Sequence, residues 1–322
     1  MIQGVEILDY LSSQATIGKD PGESSHWQKY HSNFNFTGDG FSGLIGFGGN
    51  EPVYKGVKKL LNTNFQKPYR NMGYRFSSFQ ELDALATKLT QQQSRAYDLD
   101  VLRQVITLSM LSDRLGKGHN NSLIIGDGFA SMTSLILLSG FSKNCTLVNL
   151  TKTLIVDLWY LKLILGEEAY NKRVFLATSI QDINEINLND DLSGNENRII
   201  AFEARNQEFI SKISFDVAIN IASMQEMSPS ISRKYLDDMR KSIFINNKSA
   251  FFYCCNRIEK KLPGGEVAKL VEYGWDKQDE ILIDELCPWH QKYYSFIPLF
   301  IETMMVFIGT SLLNLKYNEI KF

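Results

Sequence analysis

Gly126, Asp127 and Gly128 stand between a short apolar run, Leu123 to Ile125, and an amphipathic stretch carrying Met132, Leu135, Ile136 and Leu138. Glycine at a strand-to-helix turn lets the backbone approach a ligand closely, and the helix N-terminus behind it offers N–H groups. Phe129 completes the turn. A second apolar run, Thr146 to Val148, ends at Asn149, 23 positions after Gly126, where a ribose would be held. This frame suits a nucleotide-type cofactor. The dinucleotide fingerprint G-x-G-x-x-G needs glycine at 131, and the chain has Ser131. The glycines therefore read equally as packing residues of an ordinary βαβ turn.

Groups able to move protons are few. There are four histidines, His26, His31, His119 and His290. His290 lies beside Trp289 in CPWHQ, His290 as a base or acceptor ligand or as a structural histidine capped by its neighbours, and Trp289 as a substrate-binding residue. His31 sits in an aromatic-rich stretch that would cover the site, whereas His26 and His119 read as surface residues at loop ends. Glu226 is a second base candidate; its alternative is to cap the helix that follows. Asn256 and Arg257 suit sugar hydroxyls or an anionic substituent, or a surface pairing with Glu259. Trp27, Tyr30, Phe34, Phe36 and Tyr74 form either a face for a sugar ring or part of the core. Asp237 and Asp238, mid-helix, read as a solvated face. The four cysteines, Cys145, Cys254, Cys255 and Cys287, lack C-x-x-C spacing. They read as buried thiols, and no dedicated metal site is expected.

These residues need elements to position them. Residues 1–118 read as a mainly helical section. It opens with a short helix, Ile7 to Leu11, followed by an aromatic stretch with six glycines between Gly38 and Gly49, a loop or lid that no strand precedes. Helical spacing then recurs at Phe79, Leu82, Leu85 and Leu89, and at Leu99, Leu102, Ile106 and Met110. Gly116 to Gly118 marks the boundary with 119–322. There, strands at Leu123–Ile125, Thr146–Val148, Val174–Ala177, Phe215–Ile221 and Ala250–Cys254 alternate with helices at Ala130–Ser139, Thr153–Leu165 and Ser228–Ile243. Such alternation predicts an α/β fold, a parallel sheet with helices on both faces. Asp190 to Asn197 reads as a surface loop. Ligands bind outside the carboxyl ends of such strands, here Gly126 to Phe129, Asn149, Thr178, Ser223 to Glu226, and Asn256 with Arg257.

Lys plus Arg number 34 against 36 Asp plus Glu, so bulk charge recruits neither nucleic acid nor an anionic membrane. The N-terminus shows no basic region leading into an apolar segment. Phe296 to Leu313 is interrupted by Pro298, Glu302 and Gly309, which suits buried strands better than a spanning helix. A cytoplasmic protein without a membrane span is expected, and a homo-oligomer is left open.

Three blocks carry a resemblance: FDVAINIASMQEMSPS (Phe215 to Ser230), FYCCNRIEKKLPGGE (Phe252 to Glu266) and LIDELCPWHQKYY (Leu282 to Tyr294). With the Gly126 turn and NLTKTLIVDLWYLK (Asn149 to Lys162), they make 120–322 resemble the bacterial sugar O-methyltransferase family, with a weaker echo at NFQKPYRNMGYRF (Asn64 to Phe76). The resemblance implies S-adenosylmethionine on a Rossmann-like methyltransferase sheet. Gly126, Asp127 and Gly128 would lie beside its methionine part, Asn149 and Leu150 near ribose and adenine, and Ser223 to Glu226, Met224 among them, near the sulfonium and acceptor. It also implies a sugar-containing substrate. Such a hydroxyl is weakly acidic, so a general base or a metal should remove its proton. Ile124 and Ala130 depart from the usual first motif, and Asn149 replaces the usual acid. The rival expectation is a non-catalytic binding or scaffold relative. A third, a nicotinamide oxidoreductase, lacks the glycine at 131 and the second-strand acid.

Overall fold

The chain is described from a computed structural model that covers residues 1–15, 23–38, 40–44, 51–188, 197–277, 279–290 and 301–308. Side chains are described for all of these except 187, 188 and 301–308. The end of the glycine-rich stretch, most of the expected loop at 190–197, the residues after His290 and much of the apolar tail lie outside the described residues.

The N-terminal section holds β1 (Ile2–Gln3), α1 (Glu6–Ala15), α2 (Ser25–His31), β2 (Asn35–Phe36), β3 (Phe41–Ser42), α3 (Gly56–Gly73), α4 (Phe79–Gln92) and α5 (Leu99–Leu115). The short pair β2–β3 is antiparallel, and β2 precedes all six glycines, contrary to the sequence expectation. Helix α5 begins where the Asp98 carboxylate accepts from Val101 N–H at 3.0 Å and stops at Gly116, whose φ of 82° is open to glycine.

The alternating half follows: β4 (His119–Ile125), α6 (Ser131–Leu138), β5 (Ser142–Asn149), α7 (Thr151–Leu165), α8 (Glu167–Arg173), β6 (Val174–Leu176), α9 (Ile180–Leu188), β7 (Ile199–Glu203) and β8 (Val217–Ile221). Then come α10 (Pro229–Asn246), β9 (Ala250–Arg257), β10 (Glu259–Lys261), β11 (Val267–Lys269), β12 (Glu280–Leu286) and β13 (Ile301–Ile308). Proline at the first turn starts α10, and Asn247 ends it in the left-handed region. Ser228 stands at the N-cap, but its hydroxyl meets Ser230 Oγ at 3.0 Å rather than a backbone N–H.

Nine strands form one sheet in the order β1-β6-β7-β5-β4-β8-β9-β13-β12. The run from β6 to β9 is parallel. β13 is antiparallel to both its neighbours, and β1 closes the other edge antiparallel to β6. This is the Rossmann-like sheet expected from the sequence, with two corrections. β7 inserts between β5 and β6, and a β12–β13 hairpin extends the far edge. IIAFE at β7 is short, and β13 falls in the apolar tail where buried strands were expected, pairing there with β9.

Strand alternation feeds two faces. Ile124, Leu147, Tyr253 and Cys255 join α1, α4, α5, α6 and α7 in one buried cluster. Leu123, Ile125, Val148, Phe252 and Cys254 join α9, the 3-10 segment Ala204–Lys212 and α10 in the other. The N-terminal helices thus share the first core with the sheet. Each fully buried leucine or isoleucine there contributes roughly 1.5–3 kcal/mol.

Candidate active site

The strand order reverses at β4: the chain runs on to β5 on one side and reaches β8 on the other. Outside the carboxyl ends of these strands lies a cavity of about 350 Å³. Its wall includes Gly126 to Phe129, Asn149, Leu150, Ser223, Glu226, Arg257 and His290. A crevice at the reversal of an open α/β sheet is where such folds take ligands.

Gly126 (φ 74°) and Gly128 (φ 94°) adopt backbone conformations that glycine alone takes readily. A Cβ on Gly126 would overlap the Ser223 side chain, whereas one on Gly128 would meet nothing within 4 Å. Gly126 therefore serves the packing of two strand tips, and Gly128 keeps a space open. The Asp127 carboxylate turns back onto α6, accepting from Met132 N–H (3.1 Å), Thr133 N–H (2.7 Å) and Thr133 Oγ1 (2.7 Å). Burial pushes its acidity down, and those hydrogen bonds oppose the shift.

Beneath the turn lies Asp157, fully buried on α7. It accepts from Ala130 N–H at 2.9 Å and from Asn149 Nδ2 at 2.8 Å. Burial, followed by the nearby Asp127 charge, holds its pKa well above the carboxylate range. Asn149 Oδ1 in turn accepts from Leu150 N–H at 3.0 Å. The Asn149 amide that the sequence assigns to a ribose is thereby fixed from behind.

The opposite wall is the turn after β8. Asn220 Nδ2 donates to Ile125 O (2.8 Å), Asn256 Nδ2 donates to Asn220 Oδ1 (2.8 Å), and Gln225 N–H donates to Asn256 Oδ1 (3.0 Å). Arg257 N–H closes the set on Gln225 Oε1 at 2.9 Å. Ala222 takes a left-handed φ of 60° and borders the cavity. This buried amide network presents Ser223 and Glu226 to the cavity. Glu226 accepts from Lys260 Nζ at 2.7 Å and lies 3.4 Å from His26 Nε2. Burial raises the Glu226 pKa; Lys260 and Arg257 pull it back. Arg257 Nε is buried without a hydrogen-bond partner at this wall.

Some expected residues are not brought to the cavity surface. Met224 is fully buried in the second core, and Asn256 is fully buried as a scaffold of the turn. Trp289 packs against α5, donating from Nε1 to Thr107 Oγ1 at 3.0 Å. His31 is buried, paired through Nδ1 with Glu23 and placed 3.3 Å from Thr153 Oγ1 through Nε2. His290 does reach the wall; burial, then the charge of Arg103, holds its imidazole well below the usual pKa. Among the aromatics, Trp27 lines the cavity and Tyr74 is exposed.

Two surface expectations fail. Asp238 is buried and paired with Lys241 at 2.9 Å. His26 is buried against Trp27, Tyr30 and Glu226, because α2 folds over the site. Burial first, then Lys260 and Arg257, lowers the His26 pKa to about 4. Between pH 6.5 and 4 the unfolded chain binds a proton that folded His26 refuses, so acidification through that window lowers stability. Asp98, raised by burial to about 6, slopes the opposite way. His26→Gln is therefore expected to shrink the fall in Tm between pH 7 and pH 5 relative to the parent. Equal falls in thermal melts would refute the assignment.

Several wall residues escaped sequence reading: Arg95, whose guanidinium lies 3.5 Å over the Phe129 ring, the Asp100–Arg103 pair (3.0 Å) and Gln207. Asp157 and Asn220 carried a usable signal, a lone polar group inside an otherwise apolar helix or strand. Arg95 and Arg103 carried none, since helical-section residues reach the site only through packing.

No family model matches this sequence, and no curated protein sequence matches it either. Among solved structures, a SAM-dependent methyltransferase from Leishmania major is similar over 64% of this chain and 71% of its own, at 10% identity and TM-score 0.37. The glycopeptide N-methyltransferase MtfA overlaps 61% of this chain and 92% of its own, at 10% identity and TM-score 0.34. A mutant of MtNAS spans 95% of this chain and 96% of its own, at 9% identity and TM-score 0.36. Overlaps this loose transfer no function to the chain. Among the described residues no helix is long and apolar enough to cross a membrane.

Proposed function

We propose that this chain is an S-adenosylmethionine-dependent O-methyltransferase acting on a hydroxyl of a sugar or glycosylated small molecule. One observation carries the reading: the glycine turn after β4, the tip of β5 and the Glu226 turn after β8 all border a single cavity at the point where the strand order reverses. The open space at Gly128, and the Asn149 amide held from behind, fit a nucleoside-type cofactor along the glycine side. The sugar acceptor rests on the sequence resemblance alone.

When bound, the cofactor would supply an electrophilic methyl group. The chain's own residues do the rest. Gly126 to Phe129, Asn149 and Leu150 hold the cofactor side, while Glu226 accepts the acceptor's proton on a carboxylate oxygen. Arg257, with its buried Nε, orients the acceptor's oxygens. Positioning donor and acceptor together contributes several kcal/mol toward the barrier.

The test is calorimetric titration of the purified chain with S-adenosylhomocysteine. Micromolar binding supports the reading. A folded protein that binds none points instead to a non-catalytic, scaffold-type relative, which the commitment of the Asn149 amide to Asp157 and to Leu150 N–H favours.

A further inference from the structure

We propose that Cys255, Cys287 and His290 form a binding site for a thiophilic divalent cation, zinc by chemistry. One potential ligand atom from each lies within 4.8 Å of the other two, and all three residues are buried. A tetrahedral zinc site with Zn–S near 2.3 Å needs ligand atoms about 3.8 Å apart. Closing the difference takes shifts of about 1 Å or less.

Three independent features fit this donor set. First, Cys287 and His290 are three residues apart on a tight turn, closed by His290 N–H on Cys287 O at 3.1 Å. A short chelate turn plus one distant cysteine is how many zinc sites are assembled. Second, His290 Nε2 is buried with no hydrogen-bond partner. An unmet buried nitrogen is disfavoured, and a metal ion would satisfy it. Third, the surroundings already hold the turn in place: Arg103 Nε donates to Trp289 O at 2.9 Å and Trp289 Nε1 donates to Thr107 Oγ1 at 3.0 Å.

Two thiolates and one Zn²⁺ sum to zero charge, so Arg103 beside the turn does not repel the occupied site. Binding would release the two thiol protons to the buffer. Zinc would then pin the turn after β12 to the end of β9 and fix His290 at the cavity wall. Three protein ligands leave a fourth position for a non-protein donor. Linear spacing conceals this cluster, because Cys255 lies on β9 and the other two ligands follow β12.

The experiment does not depend on methyl transfer. Tag-free full-length chain, chelator-treated and kept reduced, is titrated with Co²⁺ and then Zn²⁺, with absorbance and elemental analysis as readouts. One equivalent of Co²⁺ should bind with a near-ultraviolet thiolate-to-cobalt charge-transfer band, and Zn²⁺ should displace it. Cys287→Ser should roughly halve that band, and His290→Ala should keep it while weakening affinity at least about tenfold. Folded parent that binds no Co²⁺, or binds it without the thiolate band, overturns the site. So does an unchanged band in folded Cys255→Ser and Cys287→Ser. The parent spectrum decides even where a variant fails to fold, and S-adenosylhomocysteine binding is read separately.

Discussion

Glu226→Gln is expected to reduce turnover at least about 100-fold while leaving S-adenosylhomocysteine affinity within about threefold. The substitution keeps shape and removes only the ability to take a proton. Glu226 lies on the cavity wall, accepts from Lys260 Nζ, and has its pKa raised by burial. Its protonation state would therefore set the acid limb of the pH–rate profile. Lys260 and Arg257 favour the charged form, so Lys260→Met should move that limb to higher pH. Once an acceptor supports turnover by the parent, steady-state rates across pH with both variants decide the matter. Full activity of Glu226→Gln would remove this carboxylate from the chemistry. An unmoved acid limb in Lys260→Met would assign that limb to another group.

The second large effect is expected at Gly128. Its φ of 94° disfavours any β-branched residue, and the space its Cβ would enter is open. Gly128→Val should then act mainly by filling cofactor space and restraining the turn. S-adenosylhomocysteine affinity is expected to fall at least about 100-fold, ~2.7 kcal/mol, with a smaller loss of thermal stability. Gly126→Ala should behave differently: its Cβ would overlap Ser223 and disturb the junction of two strands. That variant should lose stability first. Calorimetry beside thermal melts separates the two. Unchanged affinity in folded Gly128→Val would move the cofactor away from the glycine turn.

Local pattern was enough for much of the framework. The apolar runs that became β4, β5, β8 and β9, the glycine turn and the helices α4 to α7 and α10 were all legible. Each depends on side-chain period and on backbone preferences acting over a few residues. The same reading missed β7 and β12, while β13 falls in the tail that it took for buried strands. It also placed His26 and Asp238 at the surface, because burial by elements distant in the chain leaves no local trace.

What the sequence determined by itself is the alternation of strand and helix, the turn that keeps Gly128 open, and the block presenting Ser223 and Glu226 after β8. What only the tertiary structure decided is which side chains share a wall. Asp157 beneath Asn149, Arg95 over Phe129, and Cys255 beside Cys287 and His290 are each brought together by long-range packing of a sheet and its covering helices. Backbone preference acts between chain neighbours, whereas these pairings are fixed by the burial of two apolar faces, which spacing along the chain does not encode.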